Sequence, residues 1–278
     1  MWERVLLTSF REKGVLSLFS KIIYEKEGGI AKITVNRPEV LNAMDAQTAN
    51  EVLSALKDAE LDENVRVVVL TGAGDAFGTG ADLKEASLAR DADPLDIRLH
   101  IQRVFNEIVL QIFKMEKPVI AAVNGIAAGA SMNIALVCDL VIASDQARFS
   151  EIFAHIGFIP DAGGTFLLPR LVGVHKAKEL SFTARFVTAE EAEKLGLVNM
   201  VVPRDQLDDA VKKVANEIMK FPGKAIGAAK KAINMALTST LEDALNLEAT
   251  TQALCSVSRE AMERIRSFLE KRSESKEK

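Results

Sequence analysis

Residues 117–140 read KPVIAAVNGIAAGASMNIALVCDL, and the parsing of this stretch decides the fold. Its apolar window, Val119 to Val137, is long enough to raise the question of a membrane span. Asn124, Ser131 and Asn133 fall inside that window, and Gly125 and Gly129 punctuate it. The pattern therefore reads as a buried strand over Val119–Val123, a glycine turn, and a short helix from about Gly129. A further strand is expected over Leu140 to Ala143.

Working outward, the same alternation recurs on the N-terminal side. Ile33 and Val35 alternate with Lys32, Thr34 and Asn36, so a strand is expected over Ile30 to Asn36, stopped by Arg37-Pro38. Asp45 is a candidate N-cap for a helix in which Val52, Leu53, Leu56 and Ala59 recur at helical spacing. The run VRVVVL, Val65 to Leu70, is apolar on both faces, as expected of a strand covered on both sides. A helix is expected near Asp96 to Lys114. Towards the C-terminus, Thr188-Ala-Glu-Glu191 reads as a capping box, and Phe221-Pro222 and Thr240 punctuate two more helices. Strand and helix in alternation, followed by helices, give an α/β core with a helical appendage. We divide the chain into an amphipathic extension (1–20), a core (21–203) and a helical region (204–278). The last residues, KRSESKEK, read as a disordered charged tail.

The chain has 278 residues, formal charge −4, 48% hydrophobic and 27% charged residues. It is long enough for a sizeable core. The mildly acidic balance argues against a nucleic-acid binder or a polybasic membrane patch. Cys138 and Cys255 lie far apart with no zinc-type spacing, which suggests neither a disulfide nor a metal site and fits a reducing cytoplasm. Residues 1–20 mix Glu3 and Glu12 with Arg4, Arg11 and Lys13, unlike a cleaved targeting segment.

Two glycine-rich stretches invite a nucleotide-loop reading. In TGAGDAFGTGADL (Thr71 to Leu83) the third glycine of a G-x-G-x-x-G would fall on Phe77, and no Gly-Lys-Ser/Thr follows. NGIAAGASMN (Asn124 to Asn133) lacks G-x-S-x-G, so Ser131 is not placed as a nucleophile. Together with NRPEVLNAM (Asn36 to Met44) and GFIPDAGGTFLLPRLVG (Gly157 to Gly173), these stretches resemble the crotonase, or enoyl-CoA hydratase/isomerase, superfamily. The matching positions run from about Tyr24 to Arg272.

That resemblance implies a crotonase-type spiral of ββα repeats, with C-terminal helices that build a homotrimer or a dimer of trimers, and an acyl-CoA thioester as ligand. It carries two oxyanion-binding amides over to Ala81 and Ala130. Preorganised donors of this kind stabilise an enolate by about 3 kcal/mol each. Coenzyme A is expected to pass the main chain at Glu39, Val40 and Leu41 and at Ala81, Asp82 and Leu83. Phe268 and Lys271 match residues that a neighbouring subunit lends to the adenine and phosphates. No metal and no resident redox cofactor are implied.

Hydratases of the family place two glutamates about the double bond, whereas the matching positions here hold Asn133 and Phe153. Asn133 can hydrogen-bond but cannot relay a proton, and Phe153 can do neither. Glu151 lies two residues from Phe153 and could in principle substitute for the missing glutamate, although alternate residues share a face only if the segment is regular. Asp161, in FIPDAGG, resembles the catalytic aspartate of the isomerase branch, particularly the enoyl-CoA isomerases of phenylacetate degradation. One carboxylate suffices to carry a proton between two carbons. Phe153, with Phe158 and Ile159, is expected to dry the pocket and raise its pKa. The plainer reading of Asp161 is a helix N-cap before Ala-Gly-Gly-Thr, with Pro160 fixing the entry. Asp82 and Asp139 recur in the family whatever the reaction and read as structural. His100, His155 and His175 have no nucleophile partner at a recognisable spacing. The reading is thus an enoyl-CoA isomerase. An enoyl-CoA hydratase is the alternative, and a non-catalytic acyl-CoA or RNA-binding relative is a third reading of another class. The acyl-facing stretch is expected within Ala86 to Arg103, and the sequence leaves its ligand open.

Overall fold

The computed structural model describes residues 19–84 and 93–274, with side chains to residue 269. Residues 1–18, 85–92 and 275–278 lie outside it, and with them most of the expected extension, the beginning of the acyl-facing stretch and the end of the charged tail.

The chain opens with an antiparallel hairpin, β1 (Ile22–Glu27) and β2 (Ile30–Val35), followed by a 3-10 turn at Pro38–Val40 and helix α1 (Ala46–Leu61). Three ββα-like turns of a spiral follow. Each begins with a long strand and ends with a short one: β3 (Val67–Gly72) with β4 (Ala76–Gly78), β5 (Val119–Val123) with β6 (Ile126–Ala128), and β7 (Leu140–Ser144) with β8 (Arg148–Ser150). The long strands join a six-stranded sheet in the order β1-β2-β3-β5-β7-β10, parallel beyond the hairpin. The short strands form a second sheet, β4-β6-β8-β9, where β9 (Val187–Thr188) pairs antiparallel.

Between the strands run α2 (Pro94–Ile101) and α3 (Glu107–Lys114), joined by a π-helical turn over Gln102–Asn106, and α4 (Ala130–Val137). Then come α5 (Gly164–Val172), α6 (Val174–Thr183) and α7 (Ala189–Leu195), before β10 (Met200–Val202). Four helices close the chain: α8 (Leu207–Met219), α9 (Gly223–Ala236), α10 (Leu241–Ser256) and α11 (Arg259–Glu274).

The continuous apolar runs of β3 and β5 are explained by burial on both faces. Val68, Leu70, Ala121 and Val123 pack with Val52, Leu56, Ile108 and Ile112 of the helices on one side. On the other side, Val67, Val69, Ile120, Ala122 and Ile142 pack with Leu207, Val211 and Ala215 of α8. Asp45 caps α1, its carboxylate accepting from Thr48 N–H at 2.7 Å. Thr188 caps α7, but Glu191 turns to Arg185, so only half of the expected capping box forms. Thr240 and Asp243 complete such a box at α10. Among the described residues no helix is long and apolar enough to cross a membrane. The sequence 117–140 is a strand, turn and helix as parsed.

Candidate active site

The site is built beyond the C-terminal ends of the short strands β4, β6 and β8, where the loop after β4 meets the start of α4. The segment after β2 braces the first glycine loop. Arg37 Nη1 donates to Ala43 O (2.6 Å), and its guanidinium pairs with Asp45 (3.2 Å) and Asp82 (3.0 Å). Asn42, fully buried and at φ 57°, accepts from Arg37 N–H and donates to Ala73 O and Ala76 O. Asn is among the few side chains that tolerate this left-handed backbone. Met44 forms a bridge with Ala81, in which Met44 N–H donates to Gly80 O and Asp82 N–H donates to Met44 O.

Consecutive amides in an extended segment point to opposite sides, so the bridge leaves the Ala81 N–H facing away from Met44. Gly80 has φ 88°, and a Cβ there would sit 3.1 Å from the Ala130 nitrogen. That closeness is the reason for glycine: the first glycine loop lies directly against the start of α4. Gly80 N–H donates to Ser131 Oγ at 3.0 Å, which ties the two loops together. Ala130 is the first residue of α4, where amides have no intrahelical acceptor. Among the described residues neither Ala81 N–H nor Ala130 N–H has a hydrogen-bond partner.

One turn along α4, Asn133 is fully buried, and its Nδ2 donates to Asp161 O (3.0 Å) and to Glu151 Oε2 (3.3 Å). Gly164, the first residue of α5, presses on this amide; a Cβ there would meet Asn133 Nδ2 at 2.4 Å. Asp161 begins a turn whose next residues, Ala162 and Gly163, both have positive φ, and Gly164 N–H closes it on Asp161 O at 2.8 Å. Helix α5 therefore starts three residues after the aspartate, with Gly163 as its N-cap and no side chain capping it. This corrects the N-cap reading of Asp161: two left-handed residues separate its carboxylate from the helix amides. One carboxylate oxygen, Oδ1, is buried without a partner, as are Asn133 Oδ1 and Glu151 Oε1. Burial pushes the Asp161 carboxyl up to about 6. Burial, with the Asp161 charge adding to it, pushes Glu151 up to about 7 against the opposing Asn133 hydrogen bond.

The structure brings Ala81, Ala130, Asn133 and Asp161 into one connected region. Phe153, 7% exposed, borders it, its ring tip 3.8 Å from where a Cβ on Gly129 would lie. Glu39, Val40 and Leu41 lie on the 3-10 turn and its end, with Leu41 exposed and left-handed. Asp82 is held by Arg37 and by Lys84 N–H, and Asp139 by Lys230 and Val119 N–H, both in structural ties. One expectation fails. Phe158 and Ile159 are 61% and 77% exposed, because residues 154–159 loop outward between Phe153 and Pro160, so in the single chain they do not dry the pocket. Phe268 is exposed on α11, beside an open groove of about 900 Å³ lined also by Phe221, Ile265 and Leu269. The side chain of Lys271 lies outside the described residues. His100, His155 and His175 are all exposed.

Glu151 is the residue that sequence reasoning raised and then set aside. Strand periodicity could not find it, since β8 ends at Ser150 and a 3-10 turn begins at Ile152. The only signal was an acidic side chain set among apolar residues with no basic neighbour.

A spiral of paired long and short parallel strands, with two free amides beside a buried carboxyl pair, defines a crotonase-fold protein. The family model described as Enoyl-CoA hydratase/isomerase matches residues 25–277, and the chain belongs to that family of enzymes. It is 38% identical to the 1,2-epoxyphenylacetyl-CoA isomerase of Escherichia coli K12 over 91% of this chain and 96% of that protein. It is also 38% identical to the short-chain-enoyl-CoA hydratase of Clostridium acetobutylicum, with the same shares covered. A solved enoyl-CoA hydratase/isomerase from Cupriavidus metallidurans superposes with a TM-score of 0.87 at 32% identity, covering 92% of this chain and 96% of that one.

Proposed function

We propose that the protein is an enoyl-CoA isomerase in which Asp161 carries a proton between two carbons of an acyl-CoA thioester. The amides of Ala81 and Ala130 hold the thioester oxygen as it gains enolate charge. A thioester α-proton is too weakly acidic for a carboxylate alone, and two fixed donors supply the missing stabilisation. The observation that carries this reading is the Asp161 carboxylate, which caps no helix and keeps a buried oxygen without a partner. A carboxyl pushed up to about 6 is suited both to taking and to returning a proton near neutrality.

The proton moves within one substrate, so no oxidant, reductant or metal is needed, and coenzyme A enters with the acyl group. Its main-chain contacts are assigned to Glu39, Val40 and Leu41 and to Ala81, Asp82 and Leu83. Phe268 and Lys271 are assigned to the adenine end of a neighbouring subunit's ligand in a homotrimer or a dimer of trimers. The exposed apolar residues Leu241, Leu245, Leu254, Val257 and Ile265 along the last helices support such an assembly. A cytoplasmic setting agrees with the sparse, unpaired cysteines.

The test is deuterium exchange from heavy water into acyl-CoA thioesters, comparing the parent with Asp161→Asn; equal rates remove Asp161 from the mechanism. Hydration is the second reading, favoured by one observation: Glu151 adds a second buried carboxyl next to Asn133. Conversion of crotonyl-CoA to its 3-hydroxyacyl-CoA, with loss of the conjugated thioester absorbance, would establish it.

A further inference from the structure

The position of Glu151 has a chemical problem built into it. Its carboxyl is 1% exposed and accepts one long hydrogen bond, from Asn133 Nδ2, and among the described residues no cation pairs with it. The same amide group holds Asp161 O, so Asn133 cannot turn over without setting its own oxygen against that carbonyl. The buried side-chain atoms that this cluster leaves without partners, Asn133 Oδ1, Glu151 Oε1 and Asp161 Oδ1, are all acceptors when both carboxyls are ionised. Such a set has no donor, and burying it that way is costly. One proton on Glu151 changes the balance by supplying an O–H donor and removing one of two like charges.

We infer, resting on the isomerase reading above, that Glu151 is a positioning residue that works in its neutral form. It holds Asn133 against the turn carrying Asp161 and limits the pocket to a single negative charge. Ionising it puts a second anion beside the forming enolate and suppresses the reaction. The groups surrounding it are few. Asp161, on the turn before α5, is the charge that acts on it, and α4 presents the neutral Asn133. His155, on the 3-10 turn that follows Glu151, is exposed. Arg148 on β8 stacks on Phe186, and Arg170 on α5 stacks on Phe166. The upward shift of Glu151 to about 7 agrees with a proton retained at neutral pH.

The experiment is the pH profile of heavy-water exchange by the full-length protein, each variant normalised to its own maximum. The parent should lose activity as pH rises above about 7, whereas Glu151→Gln, permanently neutral and still able to accept from Asn133, should keep its plateau. Glu151→Asp should retain an alkaline limb. An alkaline limb in Glu151→Gln that coincides with the parent's overturns the inference. A second arm needs no catalysis: the Glu151 carboxyl carbon is followed by NMR titration in the parent and in Asp161→Asn. Its midpoint should move to lower pH when the Asp161 charge is removed, and an unmoved midpoint overturns the coupling. A parent inert towards every thioester defeats the isomerase reading alone, and the titration then decides this one.

Discussion

Helix α4 carries two polar side chains of opposite character, two residues apart. Ser131 belongs to a cluster with Arg37, Asn42, Asp45 and Asp82 in which nearly every polar atom is matched; only Arg37 Nε among them is buried without a partner. Asn133 belongs to a cluster with Glu151 and Asp161 in which each side chain keeps one buried oxygen unmatched. Buried polar groups in folded proteins are normally satisfied. The first cluster is architecture that fixes two loops, and the second holds hydrogen-bonding capacity in reserve for something that arrives later.

On that division, the largest effect comes from the second cluster and falls on activity alone. Asp161→Asn should lower thioester deuterium exchange by about 10²–10⁴-fold, the usual contribution of a positioned acid or base, with the thermal midpoint kept or raised. A parallel loss of folding would place Asp161 with the architecture instead. Next in size, and opposite in kind, is Asn42→Ala. It strands Arg37 N–H and Ala73 O, leaves Ala76 O with Asn124 Nδ2 as its remaining side-chain donor, and puts alanine at φ 57°. The expected loss is about 3 kcal/mol in urea unfolding; a loss below about 1 kcal/mol would mean that the brace is dispensable.

Gly80→Ala tests the boundary between the two clusters. The new Cβ would crowd the Ala130 nitrogen at 3.1 Å and must adopt φ 88°. We expect a stability cost of about 1 kcal/mol and a fall in exchange of about tenfold, a fraction of what losing a whole oxyanion donor costs. Unchanged exchange in a folded variant would free the Ala130 amide from its assigned role.

How much of this was legible in the sequence follows the same division. Strands β3 and β5 could be read because burial on both faces leaves unbroken apolar runs. The partner strands β4, β6 and β8, three residues each, are too short for any alternation to show, and only resemblance implied them. The brace was visible as a motif, NRPEVLNAM, but its physics was not: Arg37 and Asp82 are 45 residues apart in sequence. Asp161 was named, yet its surroundings were misjudged, since neither the left-handed Ala162 nor the outward loop with Phe158 and Ile159 leaves a local signature. Glu151 was raised but set aside, because it leaves the strand at the point where periodicity stops applying.

The smallest effect is the most specific, and its sign separates the clusters. Asp161 and Glu151 have ordinary values of 3.8 and 4.5 but sit at about 6 and about 7 in the fold. Between those limits the folded chain holds protons that the unfolded chain has released, so their contribution to stability falls as pH rises from about 4 to about 7. A tied surface carboxylate acts oppositely. Asp62, held down to about 2 chiefly by Lys26, contributes stability above its unfolded value that is lost only as pH falls towards 2. Comparing urea midpoints at about pH 5 and pH 7.5 in the parent and in the double variant Asp161→Asn, Glu151→Gln cancels every other group. The parent should lose more stability over that interval than the variant; the same slope in both would mean that the two carboxyls titrate normally, and the contrast between a satisfied and an unsatisfied cluster would lose its electrostatic basis.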